Sequence, residues 1–274
     1  MKSGGLFRKT AMTQEALNQR FSVLRTTLAI GVGILLSVII IAFVSDDPLL
    51  SIKYLTVGPL MNLNNFYSLV TMWIPLVITG LAVCIMFNAN QFNLFAEGAF
   101  FFGGVVGTAV ALSLNLPPVI HPIVCILAAA VVCGLIGAIP ALMRYKLGAS
   151  EMVASLLLNY ACLQLGMFII SYFFRDSDAG SVVSAKLPDS AKLGELIRRS
   201  NIHAGFFAAI FLTVVVYYFL FHTRWGFEIR LTGQNGNFAK YVGVNTGFVI
   251  VFSQILGGAL AGGAGAMEVL GTYN

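Results

Sequence analysis

The feature that most constrains this chain is a series of long apolar runs with very little charge inside them. They fall at about 26–44, 66–87, 98–115, 122–143, 152–174, 204–222 and 246–270. Hydrocarbon about 30 Å thick offers no partner to a backbone N–H or C=O, so a lipid-facing run of roughly 20 residues must close its hydrogen bonds internally, as a helix. Only 10% of the residues are charged and 58% are hydrophobic, whereas a soluble domain carries roughly a quarter charged residues. The expected fold is therefore all-α: a polytopic integral membrane protein with about seven transmembrane helices. A polar arm, 1–25, precedes the first run. The arm is long and the run is full length, unlike a cleaved signal, so the first run is kept as a span.

Charge orients the chain. The formal net charge of +5 lies mostly between the runs and forms no basic stripe with interleaved aromatics, so no nucleic-acid partner is expected. With the N-terminus placed in the cytoplasm, Lys2, Arg8, Lys9, Arg20, Arg25, Arg144, Lys146, Arg224, Arg230 and Lys240 fall inside, ten of the sixteen Lys and Arg residues. Short loops weigh most in this rule. The mixed-charge segment 175–203 then lies outside and the polar island 223–245 inside. Cys84, Cys125, Cys133 and Cys162 sit singly in apolar runs, and His121, His203 and His222 lie far apart. Neither a metal centre nor a disulfide framework is expected. The chain has no phosphate-loop motif, no paired acids and no nucleophile–base pair, so no catalytic residue and no cofactor is expected of it.

Polar groups inside apolar runs are costly and need a helix neighbour or a watery path. The densest group is Asn88, Asn90, Gln91, Asn93 and Glu97, with Phe87, Phe92 and Phe95 among them. If the chain unwinds around 88–93 and a helix starts near Ala96, free backbone groups and amides would line a cavity suited to a neutral polar ring. The alternative is a simple inner loop between the second and third spans. A second group is Glu151, Asn159, Tyr160 and Gln164. Glu151 favours a helix N-terminus, while Asn159 either bonds a neighbouring helix or faces the path. Asn88, Phe92, Asn93, Glu97, Asn159 and Tyr160 are the candidate path residues.

Small residues mark helix packing. Gly258, Gly262 and Ala266 recur every four residues, as do Ala261 and Gly265, and Gly103 and Gly107 do the same in the third span. Gln254 and Glu268 are buried-polar candidates without an obvious partner. Pro75 and Gly80 point to a kink in the second span. The island, TRWGFEIRLTGQNGNFAKYVGVN, is more structured than a linker needs to be. Asn235 or Asn237 can cap a short helix over 238–242, and Gly243 can end it.

Taken together these stretches resemble the permease subunits of bacterial ABC importers serving branched-chain amino acids, ribose-type sugars and nucleosides. The nearest pattern is that of nucleoside, simple-sugar-type permeases working with a basic membrane lipoprotein-type receptor. FNLFAEG at 92–98, LGASEMVASLLLNY at 147–160, the island, and GGALAGGAGAMEVLGT at 257–272 carry the resemblance in order. Phe95 and Ala99 depart from the glycine and glutamine usual there. The resemblance implies a multi-pass protein of the bacterial cell membrane that moves a small polar solute inward. It implies three partners: a separate ABC ATPase subunit, a second permease subunit and an extracellular solute-binding lipoprotein. It also implies that Thr223, Gly226, Arg230, Gly233, Asn235, Ala239 and Gly243 form the ATPase-coupling element. Such permeases continue with further spans beyond the position of Asn274, so a truncated or partial product is expected. An ion-coupled secondary transporter, with Glu97, Glu151 or Glu268 carrying protons, is the alternative, and a membrane-embedded enzyme is a third class with no cluster to support it.

Overall fold

A computed structural model describes residues 4–176, 180, 183–194 and 203–272. Every regular element among them is an α-helix, apart from an isolated bridge between Arg175 and Ser184. Among the described residues, seven helices are long and apolar enough to cross a membrane. The chain divides into two compact units, Met1–Phe66 and Tyr67–Asn274.

The first unit holds α1 (Gly4–Val44), α2 (Pro48–Thr56) and α3 (Gly58–Met61). α1 continues through the polar arm, and its apolar part, Leu24–Val44, is the first membrane-length segment. The loop after it starts a new helix by a local device. Asp47 accepts from the Leu50 N–H at 3.3 Å, and Pro48 occupies the first position, where its missing N–H costs nothing.

α4 (Leu63–Asn88) runs on into the second unit, which then adds α5 (Ala96–Ser113), α6 (Ile120–Leu147), α7 (Glu151–Phe173), α8 (Gly205–His222), α9 (Arg224–Gln234), α10 (Gly236–Tyr241) and α11 (Thr246–Gly271). α11 is the most enclosed span and packs chiefly on α6 and α5. Its small residues explain why. Gly262 lies against Gly103, Ala266 against Gly107, and Gly265 against the Phe100 carbonyl, so α5 approaches backbone to backbone. On its other side Gly258 and Gly262 meet Cys133, while Gly134 and Gly137 of α6 meet the Ile255 and Gln254 carbonyls. Lipid tails are as apolar as leucine, so such close approach, and the dispersion it allows, is what holds these helices together.

The segment after α7 folds back over one end of this unit. Leu187 and Ala191 are buried with Ala111, Cys125 and Leu270, and the Leu193 N–H donates to the Leu270 carbonyl at 2.9 Å. Asp189 is held below the usual carboxylate range by the hydrogen bond and charge of Lys192 at 2.8 Å.

Candidate functional site

α4 ends at Asn88 and α5 begins at Ala96, and no helix joins them. Asn90 turns the chain with φ 55°, the one positive-φ non-glycine among the described residues. Asparagine tolerates this left-handed region better than most side chains. The unwound segment is not a free loop: Ala89, Gln91, Asn93 and Phe95 are all buried. Its depth follows from one contact. The Asn93 amide donates to Gln254, eight residues into α11, which at 1.5 Å per residue is roughly 12 Å from that helix's start.

Glu151, at the start of α7, is the hub that pins this segment. Its Oε2 accepts from Arg144 at 2.6 Å and its Oε1 from the Gln254 amide at 2.8 Å. Arg144 also donates to Gln91 Oε1 at 2.8 Å. Asn93 Oδ1 accepts from the Phe95 N–H at 2.6 Å, and Ser155 Oγ from the Leu94 N–H at 3.1 Å. The Asn159 carbonyl oxygen takes the Gly98 N–H, and its amide reaches Glu97 Oε2 at 3.4 Å. Side chains of α6 and α11 thereby pair the side-chain amides of the segment, and Ser155 of α7 and Asn93 take the Leu94 and Phe95 N–H groups that the break frees, which is the condition for irregular chain inside a membrane bundle.

The candidate path residues separate into two sets. Asn93 and Asn159 are buried and spend their hydrogen bonds on protein. Asn88 is half-buried and donates to the Cys84 carbonyl at 2.8 Å. Glu97, Phe92 and Tyr160 are exposed, Phe92 stacking on Phe87 with centroids 5.5 Å apart. Glu97 lines an apolar groove of about 330 Å³ with Pro75, Leu76, Thr79, Ala96 and Phe100, which neither Phe92 nor Tyr160 joins. An exposed carboxylate beside the middle of α4 requires water or a polar neighbour.

The island holds two helices, α9 and α10, where the sequence reading saw one. Thr223 caps α9, its hydroxyl accepting from the Gly226 N–H at 3.2 Å. Asn235 closes α9 through its N–H to Leu231 and caps α10, accepting from Phe238 at 3.0 Å. Gly243, at φ 89°, reverses the chain into α11, which Asn245 caps. Gly226 lies on the Phe219 and Leu220 carbonyls, Gly233 on the Asn88 carbonyl, and Ala239 is fully buried. Arg230 sits 4.9 Å over the Phe221 ring, its buried Nε without a hydrogen-bond partner among the described residues. The seven candidate coupling residues are thus the island's frame.

The island's outward surface is made by residues that sequence reasoning passed over. Tyr241 is 90% exposed, and Trp225, Phe227, Phe238 and Val242 are also exposed. Beside them lies a groove of about 490 Å³, bordered by the Arg224–Glu228 pair, Trp225 and Phe248. Gly226, Ile229, Arg230 and Gly233 recur at helical spacing, a signal for α9 that its two glycines hide. The hub had no such signal, since its partner Gln254 lies 103 residues away.

At the far end of α11 the His203 ring packs against Gly271, and its buried Nε2 has no hydrogen-bond partner among the described residues. His203 Nδ1 accepts from the Gly205 N–H at 3.1 Å, and burial holds the ring's pKa below its ordinary value.

The family of branched-chain amino acid transport system permease components matches residues 65–274. The guanosine ABC transporter permease protein NupP of Bacillus subtilis is 30% identical over 201 residues, 73% of this chain and 58% of its own length. The glucose ABC transporter permease protein TsgB13 of Haloferax volcanii is 32% identical over 209 residues, 73% of this chain and 55% of its own. The nucleoside ABC transporter permease protein NupB of Lactococcus lactis is 26% identical over 93% of this chain and 72% of its own length. The chain thus spans little more than half the length of the first two. No solved structure matches it. Seven membrane-length helices and a family match over most of the sequence lead to one conclusion: the chain is a multi-pass membrane protein and belongs to the branched-chain amino acid transport system permease family.

Proposed function

We propose that this chain serves as the membrane-spanning permease subunit of an ABC importer, bringing a small polar solute, a nucleoside or simple sugar, into the cell. ATP hydrolysis takes place on a separate subunit that grips the island. A second permease subunit completes the pore, and an extracellular solute-binding lipoprotein delivers the solute. The N-terminus is cytoplasmic, in keeping with the distribution of Lys and Arg. The observation that carries this reading is the island itself: a twice-capped helical pair whose outward face is aromatic. A loop with no partner has no need of such a face. Similarity to permeases named for guanosine, nucleosides and glucose supports the solute class.

In this reading the candidate residues divide the labour, which their exposure and burial support. Tyr241, Phe238 and Val242 contact the ATPase, while Thr223, Gly226, Arg230, Gly233, Asn235, Ala239 and Gly243 hold those side chains in place. Along the solute path, Glu97, Phe92 and Tyr160 face the solute, while Asn93 and Asn159 hold the wall behind them. Two experiments test the proposal. In proteoliposomes containing the whole transporter, labelled guanosine or glucose should enter only when ATP is hydrolysed in the vesicle lumen. Uptake driven by an ion gradient without ATP would overturn it. A crosslinker placed at Tyr241→Cys should capture an ATP-hydrolysing subunit, and its repeated failure would remove the coupling role.

A further inference from the structure

We propose that α9 is a positioning element for the break between α4 and α5, so that displacement of the island moves the unwound segment directly rather than through α8 alone. Three observations carry this. Gly233 of α9 has no side chain between itself and the break: a Cβ there would strike the Asn88 carbonyl and lie 3.1 Å from the Asn90 N–H nitrogen. One turn earlier, Ile229 is fully buried in a cluster with Ala89 of the break, Ile85 of α4, Val216 and Leu220 of α8, and Val249 of α11. Elsewhere directional hydrogen bonds link Gln91, Asn93 and Leu94 of the segment to Arg144, Gln254 and Ser155.

The two sets of contacts differ in mechanical character. Apolar contacts between α9 and the break have no directional requirement and transmit a push at almost any offset. The hydrogen bonds tolerate little change in distance or angle. A push from α9 therefore either leaves the segment in place or releases several of those bonds together, the two-state behaviour a switch needs. The proposal rests on the coupling role above only for what moves α9; the contact itself is independent of that role.

The break carries its own reporter. The Leu94 and Phe95 N–H groups are held by Ser155 and Asn93 when the segment is in place. Their hydrogen-exchange rate in the purified full chain, read by mass spectrometry, reports the state of the break. Gly233→Ala should raise that rate about fivefold, the factor that roughly 1 kcal/mol makes in an opening equilibrium. Gly236→Ala, on the same island but with open space around it, should leave the rate unchanged. Ile229→Val, which thins the same seat without adding bulk, should also raise it. An unchanged or slower rate in Gly233→Ala and Ile229→Val, or an equal rise in Gly236→Ala, overturns the proposal. No ATPase is present in this assay, so its failure is distinct from a failure of ATP-driven transport.

Discussion

Replacing Gly103 with alanine is the smallest change that tests how the bundle is held together. The new Cβ would lie 2.5 Å from the Gly262 Cα and 2.6 Å from its carbonyl carbon. Carbon atoms prefer separations of about 3.5–4.0 Å, so α5 and α11 must part locally by about 1 Å. Such a gap forfeits roughly a quarter to a half of each contact's attraction. If the seam holds on the order of 40 atom pairs at about 0.15 kcal/mol each, the loss is about 1.5–3 kcal/mol. Better helix propensity returns up to about 1 kcal/mol. Gly80→Ala is the internal control: nothing lies within 4 Å of its new Cβ, so it keeps the propensity gain without the clash. The two variants should therefore differ by about 2 kcal/mol. Thermal unfolding in detergent should place Gly103→Ala roughly 4–8 °C below Gly80→Ala, taking about 2–4 °C per kcal/mol. If Gly103→Ala melts at or above the control, close backbone contact is not what stabilises the α5–α11 seam.

Other substitutions probe the remaining features. Arg144→Ala leaves the Glu151 carboxylate, 4% exposed, with only the Gln254 amide, and should destabilise by about 1–3 kcal/mol, a buried-pair cost discounted because Arg144 is 44% exposed. Adding Glu151→Gln should recover part of this loss, and strictly additive melting temperatures in the double-mutant cycle would mean the two side chains do not act together. His203 has a pKa below its ordinary value when folded, so the unfolded chain binds more protons between the two values. Stability should be full above about pH 6.5 and decline as pH falls below it, and His203→Gln should flatten that decline in melts between pH 7.5 and 5. Asn235→Ala removes the α10 cap and should cost about 1 kcal/mol, seen as faster hydrogen exchange over 236–241 with little change elsewhere.

Legibility followed the range of the interaction. The seven membrane-length helices could be read from the sequence because a span is a property of twenty consecutive residues, and Asn235 and Gly243 declared a local helix and its end. α9 escaped because Gly226 and Gly233 look like breakers; they are glycines because the Leu220 and Asn88 backbones leave no room for a side chain. The amides of the break were singled out as path residues for their polarity, but polarity alone does not tell a side chain that meets solute from one that braces a wall. Asn93 and Asn159 turn inward to protein while Glu97 and Tyr160 turn outward, and that division lies in the packing.

Hydropathy by itself determined that this chain lives in a membrane, how many helices can cross it and where the polar island falls, since each depends on neighbours along the chain. Only tertiary structure decided that Glu151 would gather Arg144, Gln254 and, through them, the broken segment. It also decided that α9 would seat on that segment while α10 faces outward. Those arrangements join residues as much as 161 positions apart. Burying an unpaired polar group is so costly that each must find its partner, but which partner it finds is settled by how the helices pack.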